Sequence, residues 1–445
     1  RLLDTVAALG ELDNTIVVFT SDNGGTMEGG PQGTRSYFSQ FVFLSGLPDD
    51  WERDVERDLD LVGGPQAMVH YPRGWGRASN TPFRFYKGQT FAGGVRVPFL
   101  LSWPAGLGAA TGIRSQYQYV TDVAPTLLDL IGAQTPERRH GRPAQGRDGH
   151  SFVPVLATPG APSTHPEQYA EFGGNRGFYR DGWKIVTSHR PGEAYDDAEW
   201  ELYDVVSDPT ELHNLAAAEP GRLKELAAAW EHAAWSNTVF PLDDGSGYLS
   251  SVRRPGEDRL AAPVTVLPGT PTLERYRSSK LIQFRSFAVQ IRLAHSDPDE
   301  GVLVAHGDQG GGYLVYVEGG DLHLAYNAYG RLSEFTAGPL GSGEHLIRLE
   351  AEALPEFRWN LTLSVDGDAA GGPPPVPMLL FMAPFSGIDV GVSRGGPVHW
   401  GLYERRRSFP YSGALHSVTY LPGDKAPYDP ELVARAAHAS AQRHD

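Results

Sequence analysis

The stretch from Val17 to Gly25, Val-Val-Phe-Thr-Ser-Asp-Asn-Gly-Gly, constrains the fold more than any other part of the chain. Its apolar half reads as a short buried strand, which Asp22, Asn23 and the two glycines end abruptly. Asn-Gly is a strong tight-turn signal, so one reading is a turn after a strand. A metal site is the other. Neighbouring side chains of a regular strand point to opposite faces, so Asp22 and Asn23 can share an ion only where the strand ends and the backbone turns. Upstream, Leu2, Leu3, Val6, Leu9 and Leu12 fall at near-helical spacing, with Gly10 as the expected stop. A helix feeding an apolar strand with polar residues at its C-terminal end predicts an α/β sheet, and ligands of such sheets bind at that end.

The pattern changes along the chain. Residues 26–86 form a long excursion with a charged stretch at 49–64 that reads as a short solvated helix. Residues 90–103 carry a second apolar strand, expected to be buried. Residues 119–133 read as a helix capped by Thr121 or Asp122 and stopped by Gly132. From about 165, short antiparallel strands follow, with Asp181-Gly182 as a hairpin turn, and a helix closes that lobe. After 263 nearly everything alternates between apolar and polar, broken by Gly-rich or Asp-Gly turns, which predicts an all-β sandwich. The expected divisions are 1–164, 165–235, a linker at 236–262, the sandwich at 263–422 and a tail at 423–445 that could form a terminal helix.

A length of 445 residues suits two to three domains. The net charge of −16 argues against nucleic acid as a main partner. There is no cysteine, which removes disulfides, thiolate metal sites and Cys nucleophiles. No apolar run approaches the ~20 residues of a membrane helix. With no targeting signal in the chain, the compartment (cytoplasmic or secreted) stays open.

A second informative stretch runs from Thr81 to Pro104, where Lys87 precedes Gly88 and then the Gly93-Gly94 pair. A lysine ammonium is a compact charge suited to a small oxyanion, and paired glycines let backbone pass close to a ligand or another strand. Together, the segments 10–25 and 86–106 resemble the metal-binding strand end and the substrate-lysine segment of sulfatases of the alkaline-phosphatase-like superfamily. Residues 120–132, 148–156 and 183–216 are similar to the segments that follow in that family, in the same order, and the likeness runs from Arg1 to about 235. The fold it implies is α/β, a partial alkaline-phosphatase-like sheet with a C-terminal antiparallel α+β lobe. Beyond 263 the chain resembles a concanavalin/laminin-G-like jelly roll.

By this resemblance Asp22 and Asn23 are ligands of Ca²⁺ (or Mg²⁺), to which a carboxylate and an amide carbonyl are suited as hard oxygen donors. Lys87 would bind a sulfate oxygen and stabilise charge developing in the reaction. His70, Trp75, Asn80 and Arg84 are candidates for the pocket wall, with loop packing as the plainer reading of each. The substrate class is a small sulfate ester, with no nucleic acid or membrane partner.

Sulfatases use a formylglycine made from Cys or Ser in the motif Cys/Ser-x-Pro-x-Arg; its hydrated aldehyde attacks sulfur. Ser102, Ser207, Ser296 and Ser408 are each followed two positions later by Pro, but none has Arg at the motif's last position. The nucleophile is therefore expected outside this chain, which reads as a fragment or one piece of a split protein, inactive alone and inviting a complementing N-terminal chain. Two alternatives stand beside sulfate-ester hydrolysis: phosphodiester or phosphonate ester hydrolysis in the same superfamily, and a non-catalytic carbohydrate-binding protein. For the last, Tyr313, Tyr316, Tyr326, Tyr329 and Trp400 could stack on sugar rings, although strands also use such rings in cores. Asp297, Asp299, Glu300 and Asp308 could hold Ca²⁺, with a solvated loop as the plainer reading.

Overall fold

The computed structural model describes residues 1–31, 33, 69–107, 112–139, 141–144, 146–242, 259–328, 330–380, 383–429, 431 and 433. The charged stretch at 49–64, Tyr329 and most of the tail lie outside the described residues. The chain divides into two units, one of Arg1–Met27 with Gly74–Ser246, the other of Glu28–Arg73 with Gly247–Asp445.

In the first unit, helix α1 (Leu2–Ala8) ends before Gly10, which takes φ +75°, a conformation glycine adopts without steric cost. Strand β1 (Val17–Thr20) pairs antiparallel with β2 (Phe99–Ser102), placing Phe19 opposite Leu100. Helix α2 spans Arg73–Asn80 and α3 spans Val123–Leu130, with Gly132 at φ +67° ending α3 as expected. Asp122 does not cap α3 with its side chain. It is fully buried and accepts from the backbone N–H of Tyr119 (2.8 Å) and His150 (2.9 Å), and its Oδ1 lies 2.9 Å from Nδ1 of His165.

The expectation that both strands are buried fails. Phe19 is 65% and Leu100 58% exposed, and α1 buries no residue. Among the described residues this ladder has two strands, and while Val17, Val18 and Leu101 are half-buried, Phe19, Phe99 and Leu100 stay exposed. Such a surface should bind a hydrophobic dye such as ANS. Replacing Phe19 and Leu100 together with serine should lower that fluorescence severalfold; an unchanged signal would place the dye elsewhere.

The rest of the unit is an antiparallel lobe of β3 (Glu167–Phe172), β4 (Asn175–Arg180), β5 (Trp183–Val186) and β6 (Glu201–Asp204), paired in that order. The β4–β5 turn is Asp181-Gly182, both at positive φ, as a two-residue hairpin with right-handed strand twist requires. Helix α4 (Pro220–Ser236) lays Leu226, Trp230 and Ala234 on Phe178, Ile185, Trp200 and Leu202. Its Trp230 Nε1 donates to the carbonyl of Ala170 at 3.1 Å, so the buried indole keeps a partner.

The second unit contains a sandwich. One antiparallel sheet comprises β7 (Val264–Val266), β8 (Arg285–His295), β13 (Gly343–Leu354), β14 (Arg358–Val365), β15 (Asp368–Gly371), β16 (Val376–Pro377) and β18 (Ala414–Lys425). The other has β9 (Gly301–Asp308), β10 (Gly311–Glu318), β11 (Asp321–Ala328), β12 (Arg331–Pro339) and β17 (Ile388–Val390). Alternation sends Tyr313, Val315 and Val317 of β10 into the inter-sheet core with Val289, Ile291, Leu349, Trp359 and Leu361. Leu314 and Tyr316, on the other face, pack under Val398 and Leu402, the latter on helix α5 (Trp400–Arg406). Arg406 binds Glu318 and Glu300 (2.8 Å each) and Arg405 binds Glu318 (2.9 Å), tying α5 to β10 and the β9 entry.

Candidate functional site

Backbone contacts bring the Asp22–Asn23 strand end beside the Lys87 segment. The N–H of Gly24 donates to the carbonyl of Gly94 at 2.9 Å, and the N–H of Lys87 donates to that of Gly25 at 3.0 Å. The approach is so close that a Cβ on Gly24 would stand 1.8 Å from the Gly93 carbonyl oxygen, and one on Gly93 would stand 2.0 Å from that of Arg84. Gly24 thus answers to the docking of the two segments, and Gly93 to the folding of the Lys87 segment on itself.

Asn80, at the C-terminal end of α2, locks this docking. Its Oδ1 accepts from the N–H of Gly25 (2.6 Å), and its Nδ2 donates to the carbonyls of Gly25 and Phe85 (3.0 Å each). The side chain is buried and spends its amide on backbone, so Asn80 is a clamp and not a pocket wall.

Asp22 is exposed, with Oδ1 accepting from the N–H of Asn23 at 3.1 Å. Asn23 donates Nδ2 to the Gly24 carbonyl at 2.8 Å, which leaves its amide oxygen as the atom to offer an ion. A carboxylate and an amide oxygen at one strand end fit Ca²⁺ or Mg²⁺, but as two donors they fill only part of a shell of six to eight. Among the described residues no group of three or more His, Asp and Glu side chains could hold a metal.

The other pocket candidates have different settings. Trp75 is 69% exposed on α2. His70 belongs to the second unit, where its Nδ1 stands 3.6 Å from Oε2 of the buried Glu28. Arg84 is committed to structure: its Nη1 donates to the Tyr203 hydroxyl (2.9 Å) and the Glu211 carbonyl (2.6 Å), and its guanidinium lies over the rings of Phe85 and Phe91. Such stacking and forked donation suit arginine, and they leave this one little to offer a ligand.

Sequence reading missed Glu211. It is fully buried, with Oε2 accepting from the N–H of Ala92 (2.7 Å) and Oε1 from Lys184 Nζ (2.5 Å). Burial pulls the Lys184 pKa down more than the neighbouring carboxylate lifts it. The Asp-Pro at 208–209, two positions before Glu211, was the available signal, since Asp208 folds this turn by accepting from the N–H groups of Leu212 and His213 (2.8 Å each).

In the second unit three of the five candidate rings are closed off from a sugar, Trp400 on α5 is half-buried, and Tyr329 lies outside the described residues. Tyr313, Tyr316 and Tyr326 are at most 1% exposed, because one face of their sheet meets the partner sheet and the other lies under residues 398–409. Nor do the four acidic residues converge. Asp299 accepts from Ser296 N–H (2.9 Å) and the Ser412 hydroxyl (3.1 Å), Glu300 pairs with Arg406, and Asp308 accepts from the N–H groups of Gly310 (2.9 Å) and Ser386 (2.7 Å). Donors of the protein's own already meet Asp299, Glu300 and Asp308.

Comparison with known proteins bears on the first unit. The family described as Sulfatase matches residues 1–133, and the one described as N-sulphoglucosamine sulphohydrolase, C-terminal, matches 83–231. An uncharacterized sulfatase of Schizosaccharomyces pombe is 31% identical over 252 residues, 55% of this chain and 42% of that protein. An arylsulfatase of Klebsiella aerogenes is 30% identical over 132 residues, 29% of this chain and 26% of that protein. Among solved structures, a sulfatase from a glycosaminoglycan-metabolism locus of Bacteroides thetaiotaomicron aligns with a TM-score of 0.31 at 22% identity, covering 52% of this chain and 41% of that one. The chain thus spans less than half the length of these relatives. The two family matches overlap at the Lys87 segment and together run from Arg1 into the helix that closes the antiparallel lobe. Over residues 1–231, the chain is thus similar to sulfatases throughout.

Proposed function

We propose that this chain supplies the anion-binding lysine and part of the metal shell of a sulfate-ester hydrolase whose nucleophile lies on residues outside this sequence. The observation that carries the reading is the Asn80 clamp, which fixes the backbone of the Asp22–Asn23 strand end against the Lys87 segment. Lys87 would hold an oxygen of the sulfate group and stabilise negative charge developing as the ester bond breaks. Asp22 and Asn23 would hold Ca²⁺ or Mg²⁺, which when bound supplies Lewis-acid stabilisation of the same oxygens. A formylglycine nucleophile requires a motif that no serine of this chain completes, and there is no cysteine to convert. A complementing N-terminal segment would bring it, and the uncovered face around Phe19 and Leu100 is a surface for such a segment to bury. The concanavalin/laminin-G-like sandwich takes a structural part in this reading.

The test is hydrolysis of 4-nitrophenyl sulfate. This chain alone, loaded with Ca²⁺ or Mg²⁺, should give no turnover. The whole protein with its N-terminal portion should turn over, and Lys87→Ala should lower its kcat by about 10²-fold or more. Turnover by the isolated chain overturns the placement of the nucleophile; an undiminished rate for Lys87→Ala overturns the site. Faster cleavage of 4-nitrophenyl phosphate than of the sulfate would favour the phosphate or phosphonate ester reading.

A further inference from the structure

We propose that Glu211 is a positioning residue for Lys87, gripping both ends of the segment that carries it; the catalytic meaning of this rests on Lys87 being the anion-binding lysine. The segment from Arg84 to Ala92 is a loop with Lys87 near its middle. At one end, the Glu211 carbonyl accepts from Arg84 Nη1 at 2.6 Å; at the other, the Glu211 carboxylate accepts from the Ala92 N–H at 2.7 Å. One residue of the lobe therefore closes the loop like a clasp.

The loop's own bonds agree with that geometry. Gly93 N–H donates to the Arg84 carbonyl at 2.8 Å and Gln89 N–H to that of Tyr86 at 3.2 Å, so the ends fold against each other. Strand β4 adds two contacts from the same lobe: Asn175 Nδ2 donates to the Gly88 carbonyl (3.2 Å), and Thr90 Oγ1 donates to that of Arg176 (3.0 Å). These are neutral and bind the loop's interior. Glu211 alone of these lobe groups supplies a carboxyl acceptor, fully buried and met by Lys184 Nζ on β5 at 2.5 Å.

The backbone at Glu211 carries a cost that packing alone does not require. Its φ is +57°, in the left-handed region that side chains with a Cβ rarely adopt, and Asp208 and Asn214 support the turn on either side. Residues held so tend to cluster where position matters to function. The turn aims the carboxylate at Ala92 while its own carbonyl meets Arg84.

The experiment uses the full chain with Glu211→Gln and, separately, Lys184→Met. Amide hydrogen exchange is followed along the sequence, and the Lys87 amine is observed by NMR after methylation with ¹³C-formaldehyde, with exposed Lys224 as the internal control. In Glu211→Gln, amides of residues 85–94 should exchange at least tenfold faster, while those of β3–β6 and the sandwich stay within twofold. The Lys87 signal should move and that of Lys224 should not. Unchanged exchange at 85–94, or equal loosening of the whole lobe, overturns the proposal. If Glu211→Gln does not fold, Lys184→Met decides: faster exchange confined to 85–94 supports it, and wild-type exchange there overturns it. Failure of Lys87→Ala to slow the whole enzyme would remove the catalytic meaning while leaving the exchange result readable on its own.

Discussion

The sandwich is expected to lose stability steadily as pH falls from about 6.5 toward 3, and His306→Phe is expected to remove most of that slope. His306 is fully buried on β9, and burial alone pulls its pKa from the ordinary 6.5 to about 3. Its Nδ1 stands 3.3 Å from the Tyr313 hydroxyl, which donates onward to that of Tyr420 at 2.8 Å; among the described residues its Nε2 has no hydrogen-bond partner. Among the described residues, burial is the one influence on the ring's charge, and no carboxylate opposes it. The unfolded chain therefore takes up the proton first. Stability is fully present above 6.5 and lost as pH falls through the folded value, by on the order of 4 kcal/mol across the window. Asp308, two residues along, works in the opposite direction, because burial raises its pKa and so favours the folded form in acid. Its carboxylate also accepts from two backbone N–H groups, which oppose that rise. Urea midpoints of the sandwich between pH 7 and 4 measure the slope. A slope that survives in His306→Phe would assign it to other groups.

The same strands show what the sequence could and could not reveal. Alternation in β10 correctly separates Tyr313 from Tyr316 by face, since residues an even number apart share a side of a strand. It cannot say whether the second face is wet. That depends on Val398 and Leu402, which lie far along the chain and close over Tyr316 only once the fold is complete. The candidate site divides similarly. Val17–Thr20 and its Asp-Asn-Gly-Gly ending were legible because strand period and turn chemistry are local signals. The roles of Asn80 and Arg84 were not, because their partners sit 55 and 127 positions away. Read locally, a polar side chain beside a lysine segment looks like a ligand contact; in the fold, both spend their donors on the protein. Burial of β1 and β2 was misjudged for a related reason. Apolar sequence shows that a strand seeks cover but not that the cover is present.

Asn80→Ala is expected to destabilise the first unit by roughly 3 kcal/mol and, in the whole enzyme, to lower kcat by about 10²-fold. The amide serves three backbone groups at once, and removing it orphans the Gly25 N–H and the carbonyls of Gly25 and Phe85 in a buried setting. Gly25 is also the residue that Lys87 meets through its own N–H, so a shift there moves the Asp22–Asn23 end and the lysine relative to each other. Asn80→Asp separates this role from a pocket role. It keeps an acceptor for the Gly25 N–H but turns a second oxygen toward two carbonyls, so a clamp should fail at least as badly as with alanine. A pocket wall that merely needed a polar surface would tolerate aspartate. Chemical denaturation of the first unit and steady-state kinetics on 4-nitrophenyl sulfate supply both numbers. A variant with wild-type stability and kcat but a raised KM would return Asn80 to the pocket and leave the docking of the two glycine loops without its lock.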